Sequence, residues 1–485
     1  MDYYPIQENV YNTEEQIALT ILKTSKHPIN MEKNIKNREL GGFEMINPDA
    51  AGIDISSREH YVAVPKDRDK ESVKKFGTFT EDLHTIAKWL QSCRIKTVAM
   101  ESTGVYWVQL FLVLESYGFE VFLVNASHVK NVSGRKTDVK DCQWIQQLHS
   151  YGLLRNSFQP ENQIRELRNY VRHRRKLIED KSRYVQLQQK SLEQMNIKLH
   201  TVISDINGTT GSAIIRSILS GERRPEELAK YTHPRIKASR AVIIKSLQGN
   251  WRDDQIFMLK QAYESGEFVD KQIFDLDKQI ETVVQSISEK PGKSDNQKNE
   301  NKTKSSYKNR LKFDSKVYLN SLFGVDITKI EGIDEISALS LLSELGVDIK
   351  SKFKTEKQFL AWLNVVPNNK ITGGKIKSSR IMKKKNKAGQ IFRNAAYTLF
   401  NSKGYFGQYL RSRKAKDGTP QAIVATASKM ARVFYKMVTE KIEFNSDILY
   451  LSNEKYLRKK LAKMKASIEN IENVINTNTV NYTFS

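Results

Sequence analysis

Four acidic residues in the first third of the chain occupy positions where a carboxylate is costly unless it has work to do. Asp54 lies inside the apolar, strand-like run Ala51-Gly52-Ile53-Asp54-Ile55, and Glu101 directly follows Thr97-Val98-Ala99-Met100. Asp138 and Asp141 stand three apart in Gly134-Arg135-Lys136-Thr137-Asp138-Val139-Lys140-Asp141, a spacing that puts both on one face of a helix. A random Asp-x-x-Asp is common, and acids near strand ends are ordinarily solvated. A charge within an apolar strand, however, costs folding free energy unless something pairs it. Four carboxylates delivered to one place would repel one another without divalent cations between them. All-oxygen ligands suit magnesium, with manganese as the alternative ion, and two such ions about 4 Å apart can polarise a phosphodiester and activate an attacking oxygen.

A second chemistry-bearing stretch is Pro367-Asn368-Asn369-Lys370-Ile371-Thr372-Gly373-Gly374-Lys375, followed by Lys377, Arg380, Lys383, Lys384, Lys385, Lys387 and Arg393. A hydroxyl beside two glycines lets backbone approach a bulky substrate, and the cations suit a phosphate backbone. From the residues alone, a basic loop that touches nucleic acid without chemistry is the preferred reading. Arg135 and Lys136, just before the paired aspartates, are a further candidate contact with nucleic acid. The segment Lys329-Ile330-Glu331-Gly332-Ile333-Asp334-Glu335-Ile336 has the form of a helix-hairpin-helix, whose turn can offer backbone N–H groups to phosphate. Asp334 stands where a second glycine is usual and would repel phosphate, so a simple helical hairpin is the stronger reading.

These residues need elements to hold them. Ala51–Ile55 and Tyr61–Pro65 read as a hairpin, Phe79–Cys93 as a helix, Thr97–Met100 as a strand, Val105–Gly118 as a helix and Phe119–Val124 as a strand. The alternation gives an α/β domain, with ligands expected at the carboxyl ends of the strands. After Leu154 strands are not expected. Ile164 to Leu199 has helical periodicity with Arg165, Arg168, Arg172, Arg174, Arg175 and Lys176 on its other faces. Val269, Ile273, Leu276, Ile280, Val283 and Ile287 follow a four-three spacing, so the two long segments pair as an antiparallel or self-associating coiled coil, or else pack as an ordinary bundle. The organisation expected is a polar leader (1–46), an α/β domain (47–157), a helical coiled-coil region (158–290), a flexible linker (291–312), a mostly helical C-terminal domain (313–442) and a helical tail (443–485).

Composition narrows the partner. The 485 residues carry 79 Lys and Arg against 55 Asp and Glu, a formal charge of +24, which favours a polyanion. No apolar run approaches the length needed to span a bilayer, so no membrane partner is expected. Two cysteines, Cys93 and Cys142, exclude a disulfide framework and a cysteine zinc site. Without a recognisable leader for export, a cytoplasmic protein is expected.

Taken in order, Asn47–Asp54, Met100–Trp107, Gly134–Asp141 and Ile371–Lys375 resemble the DEDD transposases of the IS-one-ten family of insertion sequences, from about residue 47 to 440. The resemblance implies an RNase H-like (RuvC-like) N-terminal domain, a coiled-coil region and a C-terminal transposase domain. It implies that Asp54, Glu101, Asp138 and Asp141 hold magnesium, and that an alcohol in the C-terminal domain attacks DNA to form a transient covalent link. It further implies donor and target DNA as partners, a structured guide RNA encoded by the element, and a homodimer or homotetramer. The family's nucleophile is a serine, and the matching residue here is Thr372, whose β-methyl crowds attack; in order of preference, Thr372 is itself the nucleophile, Ser378 or Ser379 substitutes for it, or this copy is catalytically weak. Two rivals remain: a junction-resolving nuclease using metal-activated water, and a non-catalytic nucleic-acid-binding scaffold.

Overall fold

The computed structural model describes residues 45–125, 138–288, 309–382 and 386–445, together with 458, 461–462 and 464–473. Residues 1–44 of the polar leader, most of the linker, Arg135, Lys136, Lys383, Lys384 and Lys385 lie outside the described residues, and so does much of the tail, in which 458, 461–462 and 464–473 are helical. The chain divides into two compact units, Met1–Phe158 and Gln159–Ser485.

The first unit is a three-layer α/β arrangement. Strands β1 (Ala50–Ile55), β2 (His60–Ala63) and β3 (Val73–Phe76) form an antiparallel meander; helix α1 (Thr80–Ser92) leads to β4 (Thr97–Glu101), and helix α2 (Trp107–Ser116) to β5 (Glu120–Val124). The sheet order is β3-β2-β1-β4-β5, with β4 parallel to both β1 and β5. Alternation along each strand sends Ala51, Ile53, Ile55, Val98, Met100, Val121 and Leu123 into the core with α1 and α2. The opposite face is covered by helix α3 (Asp138–Ser150), which meets Ala99, Val124 and Leu154 through Ile145. Helix α1 begins as its sequence dictates: the Asp82 carboxylate accepts the Phe79 amide at 3.0 Å, satisfying one N-terminal donor.

The second unit opens with helix α4 (Asn162–Gln194), continues through short helices α5 (Leu199–Val202), α6 (Thr209–Leu219), α7 (Pro225–Leu228) and α8 (Arg240–Ser246), and returns along α9 (Asp253–Ile287). The short helices form a tip with a core of its own, built on Ile197, Leu199, Ile214, Ile215, Ile218 and Leu247. Helices α4 and α9 run antiparallel: Arg174 meets Asp277, Lys181 meets Asp270, and Gln188 reaches the Ala262 carbonyl. The four-three series on α9 is buried from Val269 through Val283, as its spacing demands of a helix facing another helix. Both expected long helices are therefore present, and they pair within one chain.

Beyond residue 309 follow α10 (Ser315–Phe323), α11 (Glu335–Leu345), α12 (Ile349–Lys352), α13 (Glu356–Trp362), the hairpin β6 (Asn368–Thr372) and β7 (Lys375–Arg380), then α14 (Lys387–Thr398), α15 (Tyr405–Asp417) and α16 (Thr419–Glu440). Phe434 on α16 lies at the centre, with the rings of Phe323, Phe392 and Phe359 at 5.8, 5.5 and 6.1 Å. This core is continuous with the buried residues of α4 and α9 nearest to it, Leu167, Val171, Val283 and Val284. The expectation that strands end at Leu154 fails at β6 and β7. Both faces of that hairpin meet solvent, so its residues carry no apolar alternation to betray it. The turn before α11 is a helical hairpin in which the Asp334 carboxylate caps α11 through the Ser337 amide at 2.8 Å, taking the place a phosphate would need.

Candidate functional site

Gly52 sets the geometry of the acidic site. A Cβ there would stand 2.2 Å from the Gln146 amide nitrogen and 2.4 Å from the Cys142 carbonyl oxygen, so only glycine lets α3 lie directly on β1. The helix runs against the strand direction: the Asn47 side chain donates to the His149 carbonyl near the helix's last turn, while the Gln146 side chain reaches the Ala50 carbonyl. The first turn of α3, with Asp138 and Asp141, consequently sits toward the carboxyl end of β1. Asp54 shares the face of Gly52 by strand alternation, and so points to the α3 side.

Glu101 ends the neighbouring strand on that same side. Thr97, two steps of alternation earlier, bonds His149 of α3 at 2.8 Å, and Ala99 packs with Ile145. The Glu101 carboxylate accepts the Thr103 hydroxyl at 3.2 Å. Asp54, Glu101 and Asp141 are all half-buried, and the charge of Asp54, with Asp141 adding to it, reinforces the burial that pushes the Cys142 thiol up to about 12. Asp138 is described in its backbone only. Among the described residues no three acidic, histidine or cysteine side chains are gathered closely enough to hold a metal ion. Asp54 and Glu101 offer carboxylate oxygens on one face and at one end of adjacent parallel strands, the ligand type that a hard divalent cation takes.

Thr372 closes the exposed hairpin of the second unit. Gly373 and Gly374 take φ of +56° and +72° between Thr372 and its cross-strand partner Lys375, the two left-handed positions of a type I′ turn. The register slips after Lys370, so Lys377 bulges and the pairs run Lys370 with Ser378 and Ile371 with Ile376. The ribbon has two chemical faces. One carries Lys370, Thr372, Lys375, Ser378 and Arg380; the other carries the Ile371–Ile376 pair and the hydrogen bond from Ser379 to Asn369 at 2.9 Å. Thr372 is exposed and Ser378 half-buried.

The remaining candidate cations divide by use. Lys387 begins α14, and burial and neighbouring arginines lower its pKa. Arg393 is half-buried and donates to the Asn364 carbonyl, so it fastens the foot of the hairpin. Asn364 itself, left-handed at φ +59°, donates to the Met382 carbonyl at 2.7 Å. Residue types alone do not distinguish this anchoring role from a nucleic-acid contact.

A sheet domain with acids at its strand ends, followed by a basic helical unit presenting a cationic ribbon, is the composition of a protein that works on nucleic acid. Residues 51–197 match the model of DEDD transposases of IS110, and residues 326–410 match the transposase model of the IS116/IS110/IS902 family. The chain belongs to this family of insertion-sequence transposases, and with it to the enzymes that cut and recombine DNA. No curated protein matches it. Among the described residues no helix is long and apolar enough to cross a membrane.

Proposed function

We propose that this transposase exchanges DNA strands through an alcohol nucleophile, with Asp54, Glu101, Asp138 and Asp141 as ligands for magnesium and Thr372 as the attacking residue. The observation that carries the reading is the delivery of Asp54 and the first turn of α3 to one end of β1, across a strand–helix contact that only Gly52 permits. The sheet order β3-β2-β1-β4-β5, an antiparallel meander extended by two parallel strands, supports an RNase H-like domain. Bound divalent ions supply polarisation of the scissile phosphate and a lowered pKa for the attacking oxygen. The chain's own groups do the rest: the carboxylates fix the site, Lys370, Lys375 and Arg380 hold the phosphate backbone against the Thr372 face, and Lys377, Lys383, Lys384, Lys385 and Lys387 extend that grip, as Arg135 and Lys136 do beside the acids. A bond forms between Thr372 Oγ1 and phosphorus as a bond from phosphorus to a sugar oxygen breaks. The hydroxyl proton is passed to the leaving oxygen, and attack by a second strand's hydroxyl reverses the balance. Exposure at the tight turn favours Thr372 over half-buried Ser378 and over Ser379, which bonds Asn369 on the other face.

The same reading has an element-encoded RNA choose donor and target, and a homodimer or homotetramer, joined through the α4–α9 coiled coil, supply active sites for several strands. The test is strand exchange on paired DNA substrates with adduct trapping. Asp54→Asn and Asp141→Asn should abolish cleavage while DNA binding survives, and Thr372→Ser should keep an adduct that Thr372→Ala loses. An active Thr372→Ala variant removes the nucleophile assignment; unchanged output from Asp54→Asn leaves only a binding scaffold.

A further inference from the structure

Helix α4 carries more arginine than its packing uses. Arg174 turns inward to Asp277, and both are buried. Arg168 is also taken up: its guanidinium donates to the Ser343 and Glu344 carbonyls at 3.0 Å each, closing the last turn of α11. Arg172 forms a two-pronged pair with the Glu344 carboxylate at 2.9 and 2.8 Å. Arg175 is 65% exposed beside an equally exposed Glu179, a pairing worth little in water. Arg165, half-buried, lies one turn further back, where its guanidinium donates to the Asn162 side chain.

Lys387, at the start of α14, faces the same cluster. Desolvation lowers its pKa first, and Arg172, Arg175 and Arg168 lower it further against the single opposing charge of Glu344. Arg168 is itself lowered to about 10, chiefly by burial, with Arg172 and Arg165 contributing against Glu344. Cations that depress one another around one carboxylate already engaged by Arg168 and Arg172 form a site that an external anion would relieve. The shape of the row selects the anion. From Arg165 to Arg175 the helix advances about 15 Å, a reach of about four phosphates along one strand of a duplex. A free phosphate would need one or two of these groups, not a line of them.

We propose that the outward face of α4, Arg165, Arg172 and Arg175, together with Lys387, is a track for the phosphate backbone of a nucleic acid that shares only Lys387 with the proposed contacts of the hairpin. The track ends where the hairpin is anchored: Lys387 follows Asn386, whose side chain donates to the Trp362 carbonyl at 2.8 Å. A strand lying along α4 is therefore led to the foot of the ribbon bearing Thr372. Only that last step rests on the proposed role of the hairpin; the track itself does not.

The experiment measures binding of the full chain by fluorescence anisotropy between 50 and 200 mM KCl, in separate arms with a 30-base-pair duplex of arbitrary sequence and with a structured hairpin RNA. Arg172→Gln/Arg175→Gln should flatten the slope of log affinity against log salt by about 1.8 in the duplex arm, at about 0.9 per lost phosphate contact. The wild-type advantage then shrinks about ten-fold across that range. Arg175→Gln alone, at an exposed position without packing duties, should remove about half of the slope change, and Arg172→Lys/Arg175→Lys should restore most of it. A change confined to one arm supports the track and identifies its occupant as DNA or RNA. Slopes unchanged in both arms, or equally reduced by the lysine pair, overturn the proposal. Strand cleavage by Asp54→Asn, measured beside these, bears on the proposed chemistry alone, so either idea can fail while the other stands.

Discussion

Replacing Gly52 by alanine adds one methyl group and should disable the first unit twice over. The new Cβ would stand 2.2 Å from the Gln146 amide nitrogen and 2.4 Å from the Cys142 carbonyl, where ordinary contact begins at 3.4 Å. These two atoms are four residues apart on α3, the partners of one rung of the helical ladder. Neither can rotate away as a side chain tip would, so the helix itself must retreat by about 1 Å. Overpacking of this kind costs about 1–3 kcal/mol, which for a unit of this size lowers the melting temperature by roughly 5–20 °C at about 4–8 °C per kcal/mol. The functional loss should be larger than the stability loss implies, because Asp138 and Asp141 move with the helix while Asp54 stays in the sheet. A displacement of about 1 Å in a reacting constellation costs on the order of 10²-fold. The assay pairs thermal unfolding with single-turnover cleavage of labelled DNA, at a temperature where the variant is fully folded. Gly118→Ala is the control: it has open space around its Cβ but a φ of +84°, so it should lose about 1–2 kcal/mol and keep cleavage. A Gly52→Ala protein that melts and cleaves like the wild type would refute the placement of α3 on β1.

Other expectations follow from the same geometry. Gly373→Asn should leave strand exchange near its original level, since Asn-Gly suits a type I′ turn, whereas Gly374→Val should abolish it by forbidding the φ of +72°; both are read by the exchange assay. Buried His149 has its pKa lowered from 6.5 to about 4. The unfolded chain therefore takes up a proton between these values that the folded one refuses, and stability falls as pH drops from 6.5 toward 4, by on the order of 2–3 kcal/mol from this group. Urea unfolding at pH 7 and pH 5 should show the loss, and His149→Gln should reduce it. Asp277→Ala should cost about 3–5 kcal/mol by stranding Arg174, while Arg174→Met/Asp277→Leu should recover most of that; a double variant no better than the single one would show that the pair contributes outright stability.

Much of the sheet was legible because its strands bury at least one face. Ala51–Ile55, Thr97–Met100 and Phe119–Val124 are apolar runs of strand length, and the observed strands begin and end within two residues of them. Strand β3 was not, because Val73-Lys74-Lys75-Phe76 is an edge strand with two lysines and no buried residue. The β6–β7 ribbon was hidden for the stronger reason that neither face is covered. For the acids, sequence could name the residues, and the helical spacing of Asp138 and Asp141 is realised in the first turn of α3. What it could not supply was the seat: nothing about Gly52 in isolation says that the contact above it is the backbone of a helix some 90 residues later in the chain.

The arginines of α4 show the same limit in sharper form. Arg172, His173, Arg174, Arg175 and Lys176 are nearly uniform as text, yet only Arg174 is buried, because its partner Asp277 lies 103 residues away. That partnership belongs to a series. Arg174, Lys181 and Gln188 recur every seventh residue of α4, and they meet Asp277, Asp270 and the Ala262 carbonyl on α9. Gly266 leaves room for the last of them, since a Cβ there would stand 3.3 Å from Gln188 Nε2. The apolar seam alone would tolerate a slide by one heptad, because Val, Ile and Leu at those positions are interchangeable in shape and charge. A slide would bury Arg174 against Asp270 or against no acid at all, and would strand Asp277 or Lys181 in turn. One polar rung per heptad therefore fixes the register at some cost in stability. In doing so it fixes where the outward arginines of α4 stand relative to α11 and α14, so the alignment of the surface row is set in part by the Arg174–Asp277 pair, which never reaches the surface.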